Sequence, residues 1–311
     1  MKKTITTIIP FFNNATALPR MLDSIFAGSV VPDEIILVDD GSTDNSKQVV
    51  QGYAVNHPQI KYIYKTHSGV SATRNTGLSQ ASCNLISFLD ADDYIEPDMY
   101  ETMLELFDDN CDCVVCGYYT HKNNVVTAYN GYQKSTLDSS EFINAMFTSD
   151  DIRGFLCTRL FKAELLQGRL FNTDISVCED LLFQFNLFLD HSLSIKYINK
   201  SFYHYVQNDN SATASLNLIK DGSYIYKPAF DLMLSMADDA YIPAIITAYN
   251  DTLEYSMYTL LKSYRSGCDV LSHIRIIQRL LKEIPYSKKS LHRLAYCYCP
   301  VFYSFTLPHE F

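Results

Sequence analysis

The sequence predicts an α/β protein, a mixed sheet flanked by helices, with a helical extension at its carboxyl end. Three observations carry this. Strand and helix signals alternate through the first third of the chain, as parallel strands joined by crossover helices require. The apolar run Asn84 to Leu89 ends in Asp90-Ala91-Asp92 with Asp93 behind it. Open α/β sheets bind ligands at such a place, the carboxyl end of a strand. Beyond about Leu216 only helical periodicity remains.

In order along the chain, Thr4 to Ile9 is β-branched and reads as a first strand. Ala17 to Phe26 follows with Leu18, Met21, Leu22 and Ile25 on one helical face. Glu34 to Val38 is a second strand, and Asp44 or Ser42 is placed to cap the helix running through Tyr53. Ile60 to Tyr64 is a third strand, Ser71 to Gln80 a helix, and then comes the strand leading to Asp90. After Pro97 the pattern changes. Cys113 to Tyr119 and Val125 to Tyr129 flank a Lys122-Asn-Asn124 turn and predict a hairpin. A helix from Ser139 to Phe147, capped by Ser139 or Ser140, precedes an irregular region. Glu179 to Leu189 is a strongly apolar helix and Ile195 to Ile198 a last strand. Ile245, Ala248, Leu253, Met257, Leu260 and Leu261 then repeat at helical spacing. The expected division is a body over 1–215, with halves 1–98 and 99–215, and a helical region over 216–311.

At 311 residues, 47% apolar and 19% charged, the chain has the make-up of a globular protein with a sizeable core. A net charge of −10 argues against a nucleic-acid partner. The charge is uneven: Lys262 to Arg293 holds eight Lys and Arg against Asp269 and Glu283. The start of the chain has too short an apolar run for a signal peptide, so its nine cysteines are expected reduced and the protein cytoplasmic. Cys111, Cys113 and Cys116 lie in a run that reads as a buried strand, which favours buried thiols over zinc. No segment reaches the roughly 18 apolar residues of a spanning helix.

Carboxylates at i and i+2 on an extended segment point the same way, and two like charges that close repel unless a cation lies between them. Hard oxygen ligands suit Mn²⁺ or Mg²⁺, ions that commonly bridge carboxylates to phosphates. Four further segments fall on loops at strand ends. They are Ile8-Ile-Pro-Phe-Phe-Asn-Asn14, Leu37-Val-Asp-Asp-Gly-Ser-Thr-Asp44, His67-Ser-Gly-Val-Ser-Ala-Thr-Arg-Asn-Thr-Gly77 and Cys178-Glu-Asp180. Together they bring Asp39, Asp40, Asp90, Asp92 and Asp180 to one rim, with Arg74 close by.

These segments resemble glycosyltransferase family 2, built on the GT-A (Rossmann-like) nucleotide-sugar fold. Pro10-Phe-Phe-Asn13, Val38 to Asp44, Gly69 to Gly77, Phe88 to Asp93 and Glu179-Asp180 carry the likeness, and Tyr203 to Ser211 adds a later segment. It covers about two-thirds of the chain and leaves out the C-terminal helices. The resemblance implies a catalytic body with a nucleotide-binding half (1–98) and an acceptor half (99–215). Pro10 and Phe12 would wall a uracil pocket, with Asn13 beside them and Phe12 where the family often has Tyr. Asp40, or failing it Asp39, would accept the uracil imide N–H, and Arg74 would face the nucleotide. Asp92 would ligate the metal, Asp90 would hold ribose or donor sugar and assist, Ala91 lies between them, and His204 is a further candidate ligand. Asp180 would be the general base for an inverting transfer. Glu179 and Arg159, the latter where the family commonly has Lys, are candidates for acceptor contact.

The resemblance thus implies a metal-dependent enzyme using Mn²⁺ or Mg²⁺. It would move a hexose or N-acetylhexosamine from a UDP-sugar to a glycan acceptor, polyprenyl-linked, in bacterial capsule, O-antigen or exopolysaccharide synthesis. A different class, a non-catalytic nucleotide- or glycan-binding partner in an assembly complex, would predict loss of the key carboxylates; Asp90, Asp92 and Asp180 are all present. No glycine-rich loop follows the first strand, against sugar-nucleotide pyrophosphorylases and nicotinamide enzymes. The basic stretch and the rings of Tyr296, Tyr298, Phe302, Tyr303 and Phe305 predict peripheral attachment at the cytoplasmic face of the inner membrane. The alternative is that these rings pack internally or form a homodimer seam through the C-terminal helices.

Overall fold

The computed structural model describes residues 2–122, 124–190, 192–207, 218–285 and 291–304, with backbone only at 291, 292, 302 and 303. The chain divides into two compact units, Met1–Gln207 and Asn208–Phe311. The first opens with β1 (Ile5–Phe11), α1 (Leu18–Phe26), β2 (Glu34–Asp39), α2 (Ser46–Ala54), β3 (Ile60–Tyr64), α3 (Val70–Gln80) and β4 (Leu85–Phe88). It continues with β5 (Tyr94–Ile95), α4 (Met99–Leu106), β6 (Cys113–Lys122), β7 (Val125–Tyr129), β8 (Thr136–Asp138) and α5 (Ser139–Thr148). It ends with β9 (Arg159–Lys162), α6 (Glu179–Leu189) and β10 (Ser194–Val206).

These strands form one mixed sheet in the order β3-β2-β1-β4-β9-β6-β10-β5, with β7 on β6 and β8 on β10. The first four are parallel, and every residue of β1 and β2 is buried, as in a sheet covered on both faces. β9 runs antiparallel to both β4 and β6. The register pairs Phe11 with Asp39 and Asp39 with Tyr64, which sets the carboxyl ends of β1, β2 and β3 level, while Phe88 at the end of β4 pairs with Ile8. The order reverses at β1, so its mouth is a topological switch point.

The last strand is much longer than the four residues expected. β10 runs thirteen residues, with irregular pairing to β6 between Ile198 and Tyr203. α5 is capped by neither Ser139 nor Ser140: Asp138 accepts the Glu141 amide in a capping box, with Glu141 reaching back. Cys111, Cys113 and Cys116 are buried free thiols.

The second unit begins with a short hairpin, β11 (Ile219–Lys220) and β12 (Ser223–Tyr224). Helices α7 (Lys227–Met236), α8 (Ile242–Arg265), α9 (Leu271–Glu283), α10 (Leu291–Tyr298) and α11 (Pro300–Ser304) follow. Its interior is Ile245, Leu253, Met257, Leu260 and Leu261 of α8 with Ile274, Ile277 and Leu281 of α9. Buried Arg293 anchors α10 through Glu254 (3.3 Å) and the Leu281 carbonyl (2.7 Å). Among the described residues no helix is long and apolar enough to cross a membrane.

Candidate active site

The mouth of β1 and β2 is a set of loops tied together by side chains. Asn13, at φ 52°, accepts the Thr43 amide on its Oδ1 (2.8 Å), and its own N–H goes to Ser42 Oγ (2.9 Å). Asn13 therefore clasps the loop after β2. Pro10 is buried within β1, whereas the Phe12 ring is 42% exposed and lies 4.5 Å, centroid to centroid, from His67. Asp39, buried, accepts the Ser42 amide on Oδ1 (2.7 Å) and the Tyr62 hydroxyl on Oδ2 (2.7 Å).

Asp40 is also buried and holds four donors. Lys65 Nζ (2.5 Å) and the Ser68 amide (2.9 Å) reach Oδ1; the Gly69 amide (2.9 Å) and His67 Nδ1 (2.9 Å) reach Oδ2. Burial raises the cost of its charge, but the Lys65 ammonium and the two amides outweigh it and hold the carboxyl below its ordinary pKa. A carboxylate offers about four lone-pair sites. Here Lys65, His67, Ser68 and Gly69 all approach it.

Around the mouth, Arg74 of α3 is buried and bridges two loops, donating to Glu179 and to Asp90 Oδ1 (3.1 Å). Burial opposes its charge, while Glu179, Asp90 and Asp180 together keep it firmly protonated. Glu179 is thus buried in an ion pair. Asp180 is half-buried in the first turn of α6, whose N-cap Cys178 sits in the left-handed region at φ 61°. Burial, and then the charge of Glu179, push its pKa up to about 7 against the pull of Arg74. The structure therefore brings Arg74, Asp90, Glu179 and Asp180 together.

Behind them Ala91 and Asp93 are buried while Asp90 and Asp92 are half-exposed. Arg20 of α1 donates to the Asp92 carbonyl. Asp93 accepts from Tyr203 and from the Val206 amide (2.7 Å), and the Asp90 amide donates to Tyr203 Oη (3.3 Å), so β10 braces the acidic turn. Burial, then the charges of Asp90 and Asp92, hold the Asp93 carboxyl well above the usual range. Asp90 and Asp92 supply hard oxygens at the strand end, a donor set that fits Mn²⁺ or Mg²⁺ when substrate phosphate and water complete the shell. Among the described residues no three His, Cys, Asp or Glu side chains assemble into a metal site.

Two expected site residues are held in contacts with other parts of the chain. His204 has both ring nitrogens engaged, Nε2 with Glu96 and Nδ1 with His121 Nε2, each at 2.8 Å, and it is stacked between Tyr94 and Tyr119. Both ring nitrogens of this buried histidine thus have partners within the protein. Arg159 is fully buried and donates to the carbonyls of Ile152 (2.8 Å) and Arg153 and to Thr158. It braces a loop. Lys65, His67, Tyr62 and Tyr203 were not expected at the site. Spacing along the chain does not link them to Asp39, Asp40 or Asp93.

The family model described as Glycosyl transferase family 2 matches residues 6–164, about half of the chain. The chain is 28% identical over 238 residues to the uncharacterized glycosyltransferase EpsJ of Bacillus subtilis (strain 168), spanning 73% of this chain and 65% of that relative. Among solved structures it resembles S. aureus TarS 1-349 in complex with UDP-GlcNAc, at TM-score 0.59 and 18% identity over 91% of this chain and 93% of that one. It also resembles the mannosyltransferase PcManGT from Pyrobaculum calidifontis in complex with GDP-Man and Mn²⁺, at TM-score 0.58 and 17% identity over 98% and 88%. At these identities the likeness is one of fold.

Proposed function

The chain belongs to glycosyl transferase family 2 and has the GT-A fold, and from that premise we propose that it moves a hexose or N-acetylhexosamine from a UDP-sugar to a hydroxyl of a glycan acceptor, with inversion. The observation that carries this is Asp180, half-buried at the start of α6 beside Arg74 and Asp90, with its pKa raised to about 7. Inversion requires in-line attack by an acceptor hydroxyl, which must lose its proton as the new bond forms. A carboxylate whose pKa lies near the working pH is suited to take that proton. Arg74 orients Asp90 toward the mouth, and Glu179 holds Arg74 in place.

Asp92, with Asp90, would hold Mn²⁺ or Mg²⁺. The ion's contribution when bound is to neutralise charge developing on the departing diphosphate. The exposed Phe12 ring offers a stacking surface for the base. A fold neighbour in complex with UDP-GlcNAc supports a uridine donor, while another carries GDP-Man, so the choice of base falls to residues of this chain.

On our reading the acceptor is a growing surface glycan on a polyprenyl carrier, met at the cytoplasmic face of a membrane. Support comes from α9, where Arg275, Arg279 and Lys282 are exposed, and from exposed Leu294 and Tyr298 of α10. Lys282 lies over the Tyr298 ring at 5.1 Å, which joins the basic and apolar surfaces. Tyr296 is buried, and the side chains of Phe302, Tyr303 and Phe305 lie outside the described residues.

The test is release of UDP from a panel of UDP-sugars by the purified chain with Mn²⁺, with and without glycan acceptors. One donor is expected to turn over, to stop in excess EDTA, and to recover with Mn²⁺ or Mg²⁺. Turnover of none overturns the donor assignment, and full activity in EDTA overturns the metal.

A further inference from the structure

Two aromatic rings adjoin both Asp180 and the acidic turn, and neither belongs to a motif that carries the nucleotide or the metal. We propose that Phe155 and Tyr205 form the platform on which the acceptor sugar lies, so that the acceptor is a pyranose held by its flat face with a rim hydroxyl toward Asp180. The inference rests on the glycosyl-transfer reading above and names two residues that hold the second substrate.

Tyr205 stands near the end of β10, two residues after Tyr203 and on the same face of the strand. The Tyr203 hydroxyl bonds Asp93 and accepts the Asp90 amide (3.3 Å), so Tyr205 is turned toward the acidic turn as well. Burial, and then the Asp93 and Asp90 carboxyls, push its phenol up. Phe155 stacks on Tyr205, with ring centroids 5.5 Å apart and planes at 26°. Tyr118 meets Phe155 edge-on at 5.0 Å and 87°. Phe155 and Tyr205 are both half-buried, so each keeps some surface for a ligand, whereas Tyr118 is buried.

The loop that carries Phe155 is fixed carbonyl by carbonyl. Tyr118 donates to Asp150 (2.6 Å), Arg159 to Ile152 (2.8 Å) and Arg153, Gln184 to Gly154 (2.6 Å), and the Thr158 hydroxyl to Phe155 (3.1 Å). Gln184 also reaches the Asp180 carbonyl (3.2 Å), so one side chain ties this loop to the turn that bears Asp180. A Cβ at Gly154 would come within 2.5 Å of Leu181 Cδ1, so a glycine lets the loop sit directly on the residue after Asp180. Asp90 bears electrostatically on both Asp180 and Tyr205, which places the rings and the base around one carboxylate. Buried Arg159 thereby gains a purpose: it holds the platform loop in place. A pyranose with mostly equatorial hydroxyls carries axial C–H bonds on its faces. Their weakly positive hydrogens suit the negative face of an aromatic ring, and the hydroxyls at the rim stay free to meet a base.

Initial rates of UDP release by the full chain test this, with Mn²⁺, a UDP-sugar that it turns over, and the methyl β-glycosides of glucose, galactose and N-acetylglucosamine as acceptors. At least one glycoside should accelerate release by wild type. Its KM should rise about five- to tenfold in Phe155→Leu and in Tyr205→Leu with kcat little changed, and return toward wild type in Phe155→Tyr and Tyr205→Phe, which keep the rings. Calorimetry should show UDP bound equally well by all five proteins. Because the chain has no tryptophan, Phe155→Trp supplies a single indole whose emission should shift when that glycoside is added with UDP, a readout that holds even where a leucine variant fails to fold. An unchanged glycoside KM in either leucine variant, or a silent indole, overturns the platform and leaves the transferase reading standing. So does a wild type that releases UDP no faster with any of the three glycosides than without them. Loss of UDP affinity in step with the rise in KM would mark the rings as structural and also overturns it. A wild type that neither binds UDP nor releases it removes the transferase reading and this inference with it.

Discussion

Asp180 is the residue on which chemistry and electrostatics meet. Its pKa is raised by burial and by Glu179 to about 7, so the carboxylate form that can accept a proton accumulates only as pH climbs through that value. We expect kcat/KM to rise through about pH 7, and Asp180→Asn to remove that limb and lower turnover by about 10²–10⁴-fold with UDP binding unchanged. A pH series of initial rates with the true acceptor measures both. Linkage adds a second readout. A carboxyl whose folded pKa is raised stabilises fully below its unfolded pKa, near 4, and loses that contribution as pH rises through the folded value. Asp180→Asn should therefore gain stability over wild type at pH 8 but not at pH 4 in urea unfolding. That Asp90, Arg74 and Asp180 come together was legible because each lies in a recognisable motif. The surroundings of His204 and Arg159 were not legible: a charge or a ring in the sequence does not say which neighbours its polar atoms bond. Asp40 is the intermediate case, its position legible and its four partners not.

Between elements, the tie that matters is Arg74 of α3 to Glu179 of α6, two residues far apart in the chain and both buried. Removing one partner of such a pair leaves a buried charge uncompensated. Arg74→Met is expected to lower the unfolding free energy by roughly 3–5 kcal/mol. The double change Arg74→Met with Glu179→Leu should recover much of that stability yet stay poorly active, because Asp90 has lost its anchor. Urea unfolding beside rate measurements separates the two effects. Gly77, part of the α3 motif, has a packing reason as well: a Cβ there would come within 2.4 Å of Ile8 Cγ2 in β1. Long elements with clear periodicity, such as α6, were read to their ends. β5 and β9, of two and four residues, are too short to show a period, and the alternation of β8 is lost in three residues. What makes them strands is the neighbour they pair with.

At the scale of the whole molecule, the basic face of α9 can be tested without cutting the chain. A truncation near Ser263 would fall inside α8 and expose Leu260 and Leu261, so substitution is the better probe. The intact protein should float with anionic vesicles at low salt. The triple change Arg275→Ser, Arg279→Ser, Lys282→Ser should not, since each cation near such a surface is worth about 1 kcal/mol. Equal flotation of the two would mean that this face does not meet lipid. The long strand β10 has a consequence of another kind. β1 to β4 can pair as soon as they are made, and the end of β6 with β7, but the start and the other edge of β6 must wait for β9 and β10, and β5 and β8 for β10 alone. During synthesis, at about 5–20 residues per second, the apolar start of β6 spends on the order of ten seconds without β10. A nascent chain halted before Ser194 would hold paired β1 to β4 and a bare edge of β6, so translation pauses in that interval expose it to aggregation.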